Sequence, residues 1–194
     1  ANRAFKAVKN LGSPQRLPKG GGGGDLFDLT PSDDQSALQD AARTFAMEQL
    51  RPAASASDTA YAAPDALLAQ CAELGFTALG IPESLGGMGA ERSAVTNALI
   101  AEAMAEGDMC LAFAALAPSA VSTALVLWGN ADQQSRYLAD FAGEKPPAAA
   151  LAVQEPVALF DPFVLQTRAM RSGGEFVLTG LKAMVPLAKS AELF

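Results

Sequence analysis

Histidine is missing from the sequence, cysteine occurs twice, tryptophan once, and charged residues make up only 18%. Without histidine there is no Ser-His-Asp or Cys-His nucleophile pair and no His-containing metal site. Cys71 and Cys110 stand far apart among apolar neighbours. They read as two buried thiols in a reducing, cytoplasmic compartment rather than as a disulfide or a nucleophile. Basic residues are scarce outside the first 24 positions. Those carry Arg3, Lys6, Lys9, Arg16 and Lys19 with no acid, and the whole chain has net charge −7, so the remainder stands at −12. A body of that charge is a poor polyanion binder, which argues against nucleic acid as a partner.

Long apolar runs are also few. Residues 109–128, MCLAFAALAPSAVSTALVLW, form the one long uncharged stretch. Its length could span a bilayer. Its alanines, Pro118, three hydroxyl residues and Asp108 at the boundary favour a buried helix pair in a soluble bundle, broken near Pro118. No membrane span is therefore expected.

What is present is half apolar, enough over 194 residues for one or two small domains. The basic arm, residues 1–25, ends in five glycines and reads as a flexible tether. A transit-like segment is the alternative, though the arm has a single Ser and no clear apolar face. Ser32-Asp33-Asp34-Gln35 has capping-box spacing, and an apolar face from Ala37 to Leu50 follows until Arg51-Pro52 ends the helix. A second helix runs from Pro64 to Gly75 and a third from about Glu91 to Gly107. Asn130, with Gln133 three residues on, caps a last helix closed by Gly143. After Pro146-Pro147 the grammar changes. AALAVQE, FVLQTRAM and EFVLTG are β-type runs, and Ser172-Gly173-Gly174 predicts a hairpin turn between the last two. The β unit reads as incomplete, the front of something longer.

The Gly-rich stretch GIPESLGGMG, residues 80–89, raises the question of phosphate binding. No Lys-Ser or Lys-Thr follows Gly89, and a G-x-G-x-x-G run from Gly87 fails at Arg92.

Taken in order, several blocks resemble the acyl-CoA dehydrogenases. They are Leu29-Thr30 with Gln35; Phe45 and Leu50-Arg51-Pro52; LGFTALGIPESLGGMG at 74–89; GNADQQSRYL at 129–138; Gly143-Glu144; AVQEP at 152–156; and GGEFVLTGLK at 173–182. The resemblance implies an α+β fold. A helical N-terminal domain would occupy residues 26–145, and a truncated start of the middle β-barrel residues 146–194, with a C-terminal bundle beyond. It implies FAD as cofactor and an acyl-CoA as substrate, oxidised across Cα–Cβ as in fatty-acid β-oxidation. A homo-oligomer, dimer or tetramer, or a hetero-oligomer with a related subunit is implied too. By the same resemblance the glycines of residues 80–89 serve turning and close backbone approach, which suits a Gly-Gly-x-Gly run flanked by helices.

The family's base is a Glu on the C-terminal bundle, so no catalytic residue is assigned here, and no metal ligand. The fragment alone is expected to be inactive. The flavin contacts carried over are Val153, Gln154, Phe160, Met184, Val185 and Pro186. Each motif is altered: Gln154 stands for Thr in Thr-Glu-Pro, Phe160 for a Ser, Met184 for Trp, and Pro186 for a hydroxyl residue. A lost polar partner at a buried flavin edge costs about 1–3 kcal/mol. The alternative reading is a non-catalytic dehydrogenase-like subunit kept for assembly with an active partner.

Overall fold

The computed structural model describes residues 30–87, 92–143 and 145–194. The basic arm, Leu29, the Met88–Gly89 end of the glycine run, Glu91 and Glu144 lie outside the described residues.

Helix α1, Asp33–Phe45, opens as the spacing predicts. Ser32 Oγ accepts from Gln35 N at 3.2 Å and Gln35 Oε1 accepts from Ser32 N at 3.0 Å. The same Gln35 amide donates to Ser93 Oγ at 3.2 Å and Thr96 Oγ1 at 3.0 Å. Ser93 is itself the N-cap of α4, Ala94–Gly107, so one side chain ties two helix starts together.

The expected stop at Arg51-Pro52 does not occur. A π-helical turn, Ala46–Leu50, leads directly into α2, Arg51–Ala60. Pro52 falls in the first turn of α2, where a missing N–H is tolerated, and the wider turn before it absorbs the change of register. Chain reversal comes at Tyr61, in the left-handed region with φ 53°. Helix α3, Asp65–Glu73, follows with Pro64 at its N-cap.

Helix α5, Met109–Trp128, is likewise continuous where a break near Pro118 was expected. Leu111, Ala112, Ala115, Ala117, Pro118, Val121 and Ser122 are buried along it. Ser119 Oγ donates to Leu116 O at 2.7 Å, and Ser122 Oγ to Ser119 O and Thr77 O, both at 3.1 Å. Burial of this much apolar surface, Pro118 included, outweighs the one backbone bond proline removes. By length and composition α5 could cross a membrane, but in this fold it packs against α3, α4 and α6. Helix α6, Ala131–Phe141, carries the predicted capping box, Asn130 with Gln133, both bonds at 2.9 Å.

Two apolar clusters form the core. One gathers Ala42, Phe45, Leu50, Leu67, Ile100 and Met104; the other joins Ile81, Val121, Leu138, Phe141 and Ala149. Cys71 lies within the first, and burial pushes its thiol up to about 12. Cys110 is exposed, contrary to the expectation of two buried thiols, because its place in the first turn of α5 points outside the bundle. The glycine stretch turns and approaches as expected. Gly86 has φ 90°, and a Cβ on Gly87 would lie 2.5 Å from Ile81 C.

The β segment is smaller than its three runs suggest. Strands β1, Arg168–Ser172, and β2, Glu175–Thr179, form an antiparallel hairpin around Gly173 and Gly174, with φ 59° and 97°. AALAVQE makes no strand; Ala149 forms a single parallel bridge with Leu193, with Ala150 N donating to Leu193 O at 3.0 Å. The first half of FVLQTRAM is not a strand either. The N–H groups of Gln166 and Thr167 are used on the Glu155 carboxylate and not on a ladder.

Candidate functional site

Three chain segments meet beyond the apolar core: 153–155, 166–167 and 182–184. Glu155 is at their centre. Its side chain is 2% exposed, and its Oε2 accepts from Gln166 N at 2.7 Å. Its Oε1 accepts from Thr167 N at 2.9 Å, from Thr167 Oγ1, and from Lys182 Nζ at 3.0 Å. The Thr167 hydroxyl first, then the Gln166 N–H, hold this carboxyl down at about 2, against the smaller opposing effect of burial. The same ammonium donates to Val153 O at 3.1 Å, and Ala183 N donates to Gln154 O at 2.9 Å.

This joint brings together three of the residues the sequence singles out, Val153, Gln154 and Met184. Gln154 Nε2 donates to Met184 Sδ at 3.4 Å. Both side chains are exposed, Met184 at 80%, and Met184 sits in the left-handed region with φ 51°. The backbone N–H groups of Val153, Gln154, Met184 and Val185 donate to no group among the described residues. Val153 is exposed and is held through its carbonyl. Phe160 is half-buried, and no hydrogen bond ties it to the Gln154–Met184 pair. Val185 and Pro186 are half-buried.

Two cavities lie elsewhere, and neither is lined by Gln154 or Met184. A cleft of about 910 Å³ is walled by Ser57, Leu68, Cys110 and Leu111 on the helical side and by Val185 and Lys189 opposite. Ser57 Oγ is buried there without a partner. A second recess of about 400 Å³, between α4 and α5, is largely apolar, with Ile100, Leu116, Ala120 and Trp128 among its walls. Among the described residues no group of three or more Cys, Asp or Glu side chains is placed to hold a metal.

The residues that sequence reasoning missed are Glu155 and Lys182. A signal existed: a lone acid closing an apolar run and a lone base after the hairpin, in segments expected to be neighbours.

Residues 32–145 match the family model described as acyl-CoA dehydrogenase, N-terminal domain. Benzylmalonyl-CoA dehydrogenase of Aromatoleum aromaticum is 38% identical over 170 residues, covering 87% of this chain and 44% of its own length. The probable medium-chain specific acyl-CoA dehydrogenase 2, mitochondrial, of Caenorhabditis briggsae is 32% identical, with 87% and 40% covered. Among solved structures, the FAD complex of PigA superposes with a TM-score of 0.70 at 28% identity, over 85% of this chain and 43% of that one. Butyryl-CoA dehydrogenase from Megasphaera elsdenii gives a TM-score of 0.71 at 23% identity, a likeness of fold, over 84% and 43%. The chain spans less than half the length of the curated relatives it matches.

Proposed function

Because this chain belongs to the acyl-CoA dehydrogenase family, we propose that it forms the helical N-terminal part, 26–145, and the flavin-facing start of the middle β part, 146–194, of an FAD-dependent enzyme. That enzyme oxidises the Cα–Cβ bond of an acyl-CoA thioester. The observation that carries the reading is the pairing of Gln154 with Met184, flanked by unused backbone N–H groups on an open surface.

The donor chemistry fits the cofactor. The pyrimidine edge of a flavin is rich in acceptors, and the N–H groups of Val153, Gln154, Met184 and Val185 are available to it, as is the Gln154 amide. The Met184 thioether can pack on the ring. Phe160 offers an apolar contact and no hydrogen bond. Pro186 contributes shape and no donor, since it has no N–H. FAD, when bound, supplies the acceptor for the hydride leaving Cβ.

This chain's own part is to bind and orient, not to abstract the proton. Glu155 adjoins Gln154 in the chain, but its oxygens are occupied by Gln166, Thr167 and Lys182 and it stays ionised to about pH 2. A base with its pKa so far below neutrality drives proton transfer poorly. The 194 residues alone are accordingly proposed to be inactive, the base lying in the part of the relatives' length this chain does not cover. A cytoplasmic location and assembly as a dimer or tetramer, or with a related subunit, belong to the same proposal.

The experiment is a visible spectrum of the protein that carries this segment in its full length. It should show bound flavin and bleach on addition of its acyl-CoA. Colourless protein that takes up no added FAD overturns the reading. The missing donors at Phe160 and Pro186 favour one other reading, a dehydrogenase-like assembly subunit. Protein that holds FAD yet bleaches with no acyl-CoA would select it.

A further inference from the structure

We propose that Glu155 is a positioning residue for the flavin-facing surface, its single buried carboxylate fixing the three segments that carry and support Gln154 and Met184. The inference rests on the flavin reading above. Glu155 would touch neither cofactor nor substrate; it would act through its neighbours.

The apolar core does not reach this region. Its last members on the β side are Ala149, Ala150 and the partly buried Leu193, while Met170, Phe176, Val177 and Leu178 of the hairpin are exposed. Order around Gln154 and Met184 therefore has to come from polar contacts, and those converge on one residue. Gln166 N, Thr167 N, Thr167 Oγ1 and Lys182 Nζ all donate to the carboxylate. Lys182, the titratable group in contact with it, also donates to Val153 O. One ammonium thus clamps the 182–184 segment to both sides of Gln154, and Ala183 N completes the clamp on Gln154 O.

Two further details fit this role. Met184, two residues past Lys182, holds a left-handed backbone that a residue with a Cβ keeps only when its surroundings impose it. Gly180 packs so closely that a Cβ there would lie 2.8 Å from Thr167 Cα, so only glycine lets the chain leave β2 while Thr167 keeps its hydroxyl on Glu155.

Glu155→Gln is the discriminating substitution because it keeps the size and loses the chemistry. Whichever way the amide turns, an NH2 faces either Gln166 N–H or the Thr167 and Lys182 donors, and a donor meets a donor.

The test uses the purified protein in two arms. In the first, without flavin, amide hydrogen exchange is followed in wild type, Glu155→Gln, Lys182→Met and Lys182→Arg. Exchange at Ala183, Gln166 and Thr167 should speed up roughly tenfold or more in Glu155→Gln and Lys182→Met, with helical amides within about twofold of wild type. Lys182→Arg should stay near wild type. In the second arm, FAD affinity should weaken roughly tenfold in the same two variants and recover in Lys182→Arg. Unchanged exchange at Ala183 overturns the proposal, as does uniform acceleration in the helices, which would mark general unfolding. Wild-type protein that takes up no FAD sinks the flavin reading and leaves Glu155 a structural joint only. That result is separable, because the exchange arm contains no flavin.

Discussion

Replacing Gly107 by alanine sets two effects against each other with opposite signs. Gly107 is the last residue of α4. By helix propensity alone, alanine there should gain up to about 1 kcal/mol. The packing opposes it: an added Cβ would lie 2.5 Å from Ala46 O, 2.8 Å from Ala46 C and 2.9 Å from Ala46 Cβ. Those atoms cannot step aside cheaply. Ala46 is fully buried, and its carbonyl accepts the N–H of Arg51 that closes the π-helical turn. Arg51 Nη2 in turn donates to Glu106 O at 2.8 Å, pinning the two helices at this spot. Overpacking of this kind costs about 1–3 kcal/mol. With the full propensity gain offset, the net expectation for Gly107→Ala is a loss of up to roughly 2 kcal/mol, or a fall of up to about 8 °C in melting temperature at this size. Urea unfolding followed by circular dichroism measures it, with Ala105→Gly as a control for propensity, an exposed site on the same helix. A raised midpoint for Gly107→Ala would mean that α4 does not approach the π turn this closely.

Two other outcomes follow from single groups. In native protein a thiol reagent should label Cys110 at once, while Cys71, buried and with its thiol raised to about 12, should react only on unfolding; equal rates would contradict the packing of α3 on α5. The depressed pKa of Glu155 adds stability that is fully present above the unfolded value of 4.5 and is lost as pH falls toward about 2. Urea midpoints taken between pH 5 and pH 2.5 should therefore decline more steeply in wild type than in Glu155→Gln, and parallel curves would refute the linkage.

Much of the helical part is legible because its signals are local. Ser32 with Gln35 and Asn130 with Gln133 are three residues apart, and both capping boxes form as their spacing predicts. The Gly173-Gly174 turn is legible for the same reason, since positive φ at both positions suits a tight hairpin. The prolines mislead. Pro52 and Pro118 are both strong local stop signals, yet Pro52 falls at a first turn and Pro118 is held in α5 by burial, a tertiary effect no local rule contains. Cys110 misleads by its apolar neighbours, since its direction depends on the rotation of α5. At the site, the juxtaposition of Gln154 and Met184 follows from motifs that family resemblance set side by side. The Glu155–Lys182 pair does not, because it spans 27 positions and depends on where the hairpin returns the chain. The Glu155 carboxylate, by taking the N–H groups of Gln166 and Thr167, also cuts short the strand expected there.

The most direct measurement of the central claim is a fluorescence titration of FAD with the full-length protein, beside Gln154→Ala. Saturable quenching at one flavin per chain, weakened roughly tenfold by the substitution, is the predicted result. Absence of binding, or binding indifferent to Gln154, would contradict the proposed flavin-facing surface around Gln154 and Met184.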